Sequence, residues 1–261
     1  MIATWTEGHA DEHMDEAILA ELGSAVRRHP WWMARARLTI AVLKRAGVRP
    51  PARVLDAGCG WGVTLEALER RGYKVTGLDV SRRALDGLDR TDRELVVADL
   101  TQPLPGSVTP FDAVLALDVI EHLDDDREAV ARLGELARPR GGVVVVSVPA
   151  RPDLFSEFDE VQGHRRRYLP ATLRAAFEGT GLEVESIFWW GAWLEPMLRR
   201  RRSRRIARAS ESPAQTYARY LRLPPWPGPW VLRAGFAFEH ARALGQRLDT
   251  GTSLFAVARR R

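Results

Sequence analysis

The sequence predicts an α/β protein built on a doubly wound, mostly parallel sheet. Three observations carry this prediction. Short runs rich in Val and Leu alternate with helical patterns, the runs are almost continuously apolar, and a glycine-rich turn follows the first of them. Strands buried on both faces of a sheet require continuous apolar runs rather than alternating ones. Repetition of strand, helix and strand then gives a parallel sheet with right-handed crossovers.

The elements follow one another along the chain. Five apolar runs are predicted as core strands: RVLDA (53–57), KVTGLD (74–79), ELVVAD (94–99), FDAVLALD (111–118) and GGVVVVSVP (141–149). Apolar residues at helical spacing predict helices over 31–46, 64–71, 81–88, 126–138 and 170–179. The later runs LEVESIFWW (182–190) and SLFAVARR (253–260) are expected to form an antiparallel pair at the sheet edge.

These elements divide the chain into four predicted parts. Residues 1–50 are expected to form a helical lid and 51–150 the ligand-binding core. Residues 151–252 are expected to form a substrate cap that includes a core strand near 182–190, and 253–261 the final edge strand. The cap is inferred because about 60 residues separate the last two strands, more than a plain connection needs.

Composition limits the class of protein. The chain has 261 residues, a formal net charge of +5 and one cysteine, Cys59. A single cysteine excludes an internal disulfide and a cysteine-based zinc cluster, and it fits a reducing, cytoplasmic compartment. No apolar run reaches the roughly 18 residues of a spanning helix, so no transmembrane segment is expected. The arginines from Arg199 to Arg208 indicate either an anionic partner or a solvated face.

The stretch DAGCGWG (56–62) follows a strand and opens a helix, so its backbone N–H groups can face a ligand. It is not the dinucleotide fingerprint, because Val63 stands where a third glycine is required, and it lacks a Walker lysine. Asp79 ends the next strand, where a carboxylate accepts ribose hydroxyls. Asp99 is placed for an adenine amine and Asp56 for an ammonium group. These groups together describe S-adenosylmethionine better than a dinucleotide.

The ordered set DAGCGWG, GLDVS, Asp99 and FDAVLALDVIEHL resembles the successive motifs of class I S-adenosylmethionine-dependent methyltransferases of the small-molecule type, types 11 and 23. The resemblance covers about residues 53 to 150 and implies a seven-stranded, Rossmann-like sheet with S-adenosylmethionine as the cofactor. It implies these cofactor-binding residues: Asp56, Gly58, Cys59, Gly60, Gly62, Asp79, Val80, Asp99, Leu100, Leu117 and Asp118. Cys59 is interpreted as a small loop residue, because methyl transfer needs no thiolate there.

Methyl transfer requires an aligned nucleophile and, where the nucleophile carries a proton, a base. His122 and His164 are the predicted bases, since histidine titrates near neutral pH. Alternatively, His122 only holds Glu121 and the following helix in place. Asp118, Glu121 and His122 also resemble the metal cluster of ubiquinone-type O-methyltransferases. Two carboxylates and one imidazole make an incomplete shell, so no metal is predicted.

Aromatic and basic side chains are the candidates for binding the substrate. They are Trp31, Trp32, Arg165, Arg166, Arg167, Tyr168 and Trp193. The arginines suit a carboxylate or phosphate through forked donors, or they pair with the acidic residues just upstream, Glu157, Asp159 and Glu160. The tryptophans either cover the ligand or serve as packing anchors.

The expected function is methyl transfer to a small, hydrophobic or anionic acceptor, with O-methylation favoured. Tryptophans interleaved with arginines in the cap leave peripheral membrane contact open. The alternative is a nucleic-acid or peptide methyltransferase that docks through Arg199 to Arg208. Nucleic acid is disfavoured because no RNA-binding module is evident. A cofactor-binding protein without activity is a further alternative, and the oligomeric state is left open.

Overall fold

The computed structural model describes residues 2–6, 16–90, 93–201 and 211–261. Within these residues the strands are β1 (Ile2–Thr4), β2 (Arg53–Ala57), β3 (Lys74–Asp79), β4 (Glu94–Val97), β5 (Ala113–Leu117), β6 (Val143–Pro149), β7 (Leu182–Trp190) and β8 (Ser253–Arg260). They form one eight-stranded sheet in the order β1-β4-β3-β2-β5-β6-β8-β7. The predicted α/β class and the Rossmann-like sheet are confirmed.

Strand direction fixes where a ligand binds. Strands β1 to β6 pair in parallel, and only β8 runs antiparallel to its neighbours β6 and β7. The strand order reverses between β2 and β5, which lie side by side although two strands separate them in sequence. In doubly wound sheets the crevice at such a reversal, outside the carboxyl ends of the strands, receives the ligand.

Two features of the sheet differ from the prediction. The sheet has eight strands instead of seven, because Ile2–Thr4 pairs in parallel with β4 inside the region predicted as a helical lid. Three residues are too short to give a strand signal, yet they cover an edge that would otherwise expose unpaired backbone groups. The last strand, β8, is not at the edge but lies between β6 and β7. Its residues Ser253 to Ala258 are all buried, as a central position requires.

The helices of the described residues are α1 (Glu16–Glu21), α2 (Gly23–Arg28), α3 (Pro30–Arg45), α4 (Val63–Glu69), α5 (Arg82–Asp86), α6 (Asp126–Leu136), α7 (Glu157–Gln162), α8 (Pro170–Ala175), α9 (Glu195–Arg201), α10 (Pro213–Tyr220) and α11 (Gly228–Leu244). Short 3-10 turns occur at Ile120–His122, Pro152–Leu154 and Ala192–Leu194. None of these helices is long and apolar enough to cross a bilayer.

The sheet is covered on both faces. One face packs against α6 and α8 through residues such as Leu133 and Leu173. The other packs against α3 and α11 through residues such as Leu38 and Phe236. The helix α11 therefore belongs to a layer of the core, although its sequence was expected to form only a cap.

A smaller apolar cluster lies above the carboxyl ends of the strands. It joins α1, α2 and α10 through Ile18, Val26 and Tyr217, and Trp32 of α3 packs into it. Phe158 of α7 stacks on Tyr217 with ring centroids 5.3 Å apart. The helices before the core and those of the insert thus form one roof over the crevice.

Candidate functional site

The glycine turn after β2 requires glycine at two positions. Gly58 and Gly62 both have φ of +72°, a left-handed conformation that L side chains rarely adopt. A Cβ at Gly58 would stand 2.4 Å from Cγ2 of Val119, and one at Gly62 would stand 2.7 Å from Cδ2 of Leu88. The backbone of the turn therefore lies open to the crevice, while its outer side is packed.

Asp79, at the end of β3, is buried and fixed by the backbone. Its Oδ2 accepts the N–H of Gly60 at 2.8 Å, and its Oδ1 accepts the N–H of Ser81 at 3.0 Å. A carboxylate oxygen can accept more than one hydrogen bond, and such a group at a strand end suits the two hydroxyls of a ribose. The same contacts tie the glycine turn to the next strand, so Asp79 both shapes the site and lines it.

Asp56, at the end of β2, is buried in the crevice wall. Its Oδ2 has no hydrogen-bond partner within the described residues. Burial raises the pKa of Asp56 to about 7, and the nearby Asp79 also raises it, against the opposing charge of Arg35. A cationic group of a ligand placed here would stabilise the charged carboxylate and lower that pKa.

Asp99 follows β4 and is also buried against the crevice. Its Oδ1 accepts both the N–H and the hydroxyl of Thr101 at 2.7 Å, and Nε2 of Gln102 lies 3.4 Å from Oδ2. Leu100 and Val80 line the same part of the wall. A carboxylate between apolar side chains suits a planar base that carries an amino group.

Cys59 is buried in the glycine turn. Burial raises the pKa of its thiol, and the carboxylates Asp79 and Asp56 raise it further. The thiol is therefore protonated at neutral pH, which supports its interpretation as a small loop residue rather than a nucleophile.

Asp118 follows β5 with φ of +58° and is held from two sides. Its Oδ1 accepts the hydroxyl of Ser147 at 3.0 Å, and its Oδ2 pairs with Nη1 of Arg35, which also donates to the carbonyl of Leu117 at 3.3 Å. Sequence reasoning missed Arg35. The available signal was its position three residues from both Trp32 and Leu38 on the buried face of α3, where an arginine needs an acidic partner.

His122 and His164 come together beside the crevice. Their ring centroids are 4.8 Å apart at an interplanar angle of 77°, and both line the cavity. They derive from different segments, since His122 closes the 3-10 turn after β5 whereas His164 follows α7. Sequence order alone did not show that the two rings would touch.

Asp159 orients His164 and was not predicted to do so. Its Oδ1 lies 2.9 Å from Nδ1 of His164, and Arg167 donates to both of its oxygens at 2.7 and 3.0 Å. Burial alone would raise the pKa of Asp159, but the hydrogen bonds of His164 and the charge of Arg167 hold it below the ordinary value. A charged Asp159 accepts the Nδ1 proton, and in that tautomer Nε2 of His164 carries the lone pair.

Glu121 lies behind the histidines and is completely buried. Neither carboxylate oxygen has a hydrogen-bond partner within the described part of the chain, and Oε1 stands 3.9 Å from Nε2 of His164. Burial raises the pKa of Glu121 well above its ordinary value, and Asp118 raises it further.

Within the described residues, ligand atoms of Glu121, His122 and His164 lie within 4.8 Å of one another, and the group could hold a metal ion. This set differs from the one considered on sequence, because His164 replaces Asp118, whose carboxylate is engaged by Arg35 and Ser147. One carboxylate and two imidazoles suit a divalent transition metal. The orphaned oxygens of Glu121 fit such an ion in donor chemistry.

The basic segment 165–168 is mostly structural, contrary to its predicted role in substrate binding. Arg165 donates to the carbonyl of His122 at 2.7 Å and pairs with Asp124, while Arg166 donates to the carbonyl of Asp124 at 3.0 Å. The buried Tyr168 hydroxyl donates to a carboxylate oxygen of Asp126 at 2.7 Å. Of these four predicted residues, only Arg167 lines the cavity. The others fasten the His164 loop to the turn that carries His122.

The predicted tryptophans fall into two groups. Trp31 and Trp32 line the cavity and are also packing anchors, Trp31 beside Trp190 at 5.5 Å and Trp32 in the roof cluster. Trp193 does not reach the cavity. Its ring packs edge-on against Phe236 at 5.1 Å, so its predicted contact with substrate is not supported.

The crevice encloses a cavity of about 370 Å³, within the range of small-molecule sites. Asp56, Asp79 and Asp99 line it from the ends of β2, β3 and β4, and His122 and His164 line it from the segments after β5 and α7. Sequence reasoning missed much of the remaining wall: His29, Arg35, Phe158, Tyr217, Tyr220, Leu223, Leu232 and Phe236. Gly62 shapes the turn without lining the cavity.

Comparison with known proteins places the chain in a family. The family model described as a methyltransferase domain matches residues 31–187, more than half of the chain. The chain belongs to this methyltransferase family, and its fold and motif order are those of the class I S-adenosylmethionine-dependent methyltransferases.

Two of its curated relatives share one name. The ubiquinone biosynthesis O-methyltransferase of Alkalilimnicola ehrlichii is 39% identical over 109 residues, which cover 40% of this chain and 44% of that protein. The protein of the same name from Pseudomonas aeruginosa is 29% identical over 165 residues, covering 55% of this chain and 69% of that protein. The match spans less than half of the first relative, so its activity is not transferred directly.

Solved structures share the fold. The chain complexed with the Trm112 methyltransferase activator of Haloferax volcanii has a TM-score of 0.59 at 20% identity, covering 94% of this chain and 95% of that one. The [4+2]-cyclase SpnF has a TM-score of 0.56 at 19% identity, covering 86% and 80%. Identities this low show the fold alone, and the cyclase demonstrates that this fold hosts more than one chemistry.

Proposed function

We propose that this protein transfers a methyl group from S-adenosylmethionine to a hydroxyl of a small, largely apolar molecule. One observation carries the proposal. Three buried carboxylates at the ends of adjacent parallel strands share a cavity with an oriented histidine pair and an aromatic roof. The name of the curated relatives, which specifies O-methylation, supports the choice of oxygen as the acceptor atom.

The cofactor would occupy the carboxylate end of the cavity. Asp79 would accept the ribose hydroxyls, Asp99 the adenine amine, and Asp56 the ammonium group. When bound, S-adenosylmethionine supplies a methyl group on a cationic sulfur, already activated for transfer. The chain then has to bring the acceptor oxygen into line with the sulfur–methyl bond, a contribution of roughly 7 to 11 kcal/mol in well-oriented systems.

His164 would remove the acceptor proton. Asp159 holds its Nδ1 side, so Nε2 would be the atom that accepts the hydroxyl proton when the acceptor oxygen is methylated. His122 packs against this ring and limits its rotation. Phe158, Tyr217 and Leu223 line the roof and would exclude water from the acceptor.

Glu121, His122 and His164 would hold a divalent cation if one is resident, and the ion would favour the ionised form of the acceptor hydroxyl. A chelator distinguishes the two modes. If the rate is unchanged after dialysis against EDTA, the imidazoles of His122 and His164 act as bases rather than as metal ligands. A loss that is restored by one divalent ion assigns them as ligands.

The activity test uses the purified protein, methyl-labelled S-adenosylmethionine and an extract of its host. We expect label in the organic-soluble small-molecule fraction, from which the product is identified by mass spectrometry. Label in nucleic acid or protein would instead support the docking role of the arginine run. Arg199 is paired with Glu195 and Asp153, and residues 202–210 lie outside the described residues. Cofactor binding without any labelled product would contradict the proposal.

We expect cofactor affinity to depend on the ionisation of Asp56. Its pKa of about 7 means that it is partly protonated at neutral pH, whereas an ammonium partner requires the charged form. Affinity should therefore fall by up to about tenfold for each pH unit below 7, with proton release on binding. Calorimetry in two buffers of different ionisation enthalpy measures both quantities. The Asp56→Asn variant should bind the cofactor more weakly, and its affinity should no longer depend on pH below 7. An unchanged pH dependence in this variant would show that Asp56 does not bind the ammonium group.

A further inference from the structure

The largest exposed apolar side chains of the described residues cluster on one surface. Trp226 is 81% exposed, Phe238 72% and Trp230 63%, and Val231 is also exposed. Isolated exposed apolar residues are ordinary, but a contiguous group of large ones marks an interaction site. We call the exposed face of α11 together with the loop 222–227 the α11 surface.

The spacing of the exposed apolar residues along α11 shows that they form a continuous stripe. Trp230, Ala234, Phe238 and Ala241 are exposed at helical spacing. The opposite side of the helix, which includes Phe236, is buried against the core. An apolar stripe on a helix is normally covered by another element or by a partner. Within the described residues, the outer side of α11 has no such cover.

The exposed charges along residues 222–248 are all cationic. Arg222, Arg233, Arg242 and Arg247 are exposed along 222–248. The one carboxylate in that range, Glu239, is buried and accepts the N–H groups of residues 191 and 192 at 3.0 and 2.6 Å. The guanidinium of Arg233 lies 5.6 Å from the ring centroid of Trp230. The surface therefore presents apolar side chains with a mainly cationic rim, and one exposed carboxylate, Asp249, follows just beyond this range.

We propose that the α11 surface docks on an anionic lipid bilayer. Interfacial helices combine an apolar face with cations that reach the headgroups, and tryptophan is favoured at the boundary between water and acyl chains. A second copy of the chain fits less well, because two-fold contact would bring the arginines of the two surfaces together. The bilayer supplies both the apolar layer and the negative charge.

The surface is continuous with the mouth of the cavity. Leu221, Arg222, Leu223 and Pro224 line the cavity, and the chain then runs directly to the exposed Trp226. Leu232 and Phe236 line it from the inner side of α11. Docking would place the mouth at the bilayer, so that an apolar acceptor enters without crossing water. This last step rests on the proposed function, whereas docking itself does not.

The test is co-sedimentation of the purified protein with vesicles of phosphatidylcholine alone or mixed with phosphatidylglycerol. We expect binding to the mixed vesicles only, weakening as salt rises because the cationic rim is screened. The double variant Trp226→Ser/Trp230→Ser should lose at least about tenfold in partition coefficient. Arg233→Glu/Arg242→Glu should reduce binding to the mixed vesicles by a comparable factor.

Matched controls come from the opposite side of the sheet. Leu169→Ser and Arg174→Glu alter exposed residues at α8, in the other layer, and should bind like the unmodified protein. Cofactor calorimetry on every variant checks folding independently of lipid. The proposal is overturned if the surface variants bind the mixed vesicles as well as the unmodified protein does, or if the unmodified protein does not bind them. Concentration-dependent dimerisation that disappears in Trp226→Ser/Trp230→Ser assigns the surface to a second copy instead. Methyl transfer to a water-soluble acceptor tests the proposed function separately.

Discussion

Replacing His164 with alanine is expected to lower kcat by about 10²- to 10⁴-fold, the usual contribution of a general base. The dissociation constant of S-adenosylmethionine should stay nearly constant, because the proposed cofactor contacts are with Asp56, Asp79 and Asp99 rather than with His164. The reason is geometric. Asp159 fixes Nδ1 of His164 at 2.9 Å, so the variant loses an imidazole that a buried carboxylate orients in the cavity wall. Single-turnover kinetics with the identified acceptor measures the chemical step.

Adding free imidazole to His164→Ala distinguishes the loss of a base from a disturbance of the fold. Partial recovery of the rate in His164→Ala, absent in the unmodified protein, supports proton transfer at that position. Asp159→Asn should keep His164 in place but lose most of its orientation, giving a smaller decrease in kcat with a changed pH profile. His122→Ala should be the milder single variant. A His164→Ala enzyme with an undiminished rate would remove His164 from the mechanism and transfer the role to His122.

The sequence predicted the parallel core because burial on both faces leaves a local signature. The predicted runs 53–57 and 74–79 coincide with β2 and β3, and the run 111–118 contains β5 and ends one residue beyond it. The three-residue strand β1 left no such signal, because its position depends on an open edge of β4. The central place of β8 was also hidden, since strand order depends on distant pairing rather than on local pattern.

The site was predictable where one segment supplies it, and unpredictable where two segments meet. The glycine turn and the strand-end carboxylates follow from chain position alone. The contacts between Asp159 and His164, and between Arg35 and Asp118, join residues whose partners only the fold selects. Arg165 and Tyr168 illustrate the converse, since a basic and aromatic segment suited to an anion instead fastens one loop to another.

Replacing Asp79 with alanine is expected to weaken binding of S-adenosylmethionine by at least about 10²-fold, from the loss of two charge-assisted hydrogen bonds. The substitution also frees the N–H of Gly60, which Asp79 holds at 2.8 Å, so the glycine turn loses its anchor to β3. The Asp79→Asn variant keeps the shape of the side chain and one acceptor oxygen, so its affinity for S-adenosylmethionine should fall less than that of Asp79→Ala. Calorimetry measures both, and Asp86→Asn, an exposed carboxylate on the following helix, should bind like the unmodified protein.

A pair of ligands distinguishes the two roles of Asp79, which are contact with the ribose and anchoring of the glycine turn. The product analogue S-adenosylhomocysteine and its 2′-deoxy form differ by one hydroxyl. Unmodified protein should bind the deoxy form more weakly, whereas Asp79→Ala should hardly distinguish the two, because the acceptor of that hydroxyl is gone. Equal discrimination by both proteins would mean that Asp79 acts only by holding Gly60. The ribose would then be bound elsewhere, and the orientation proposed for the cofactor would have to be reversed.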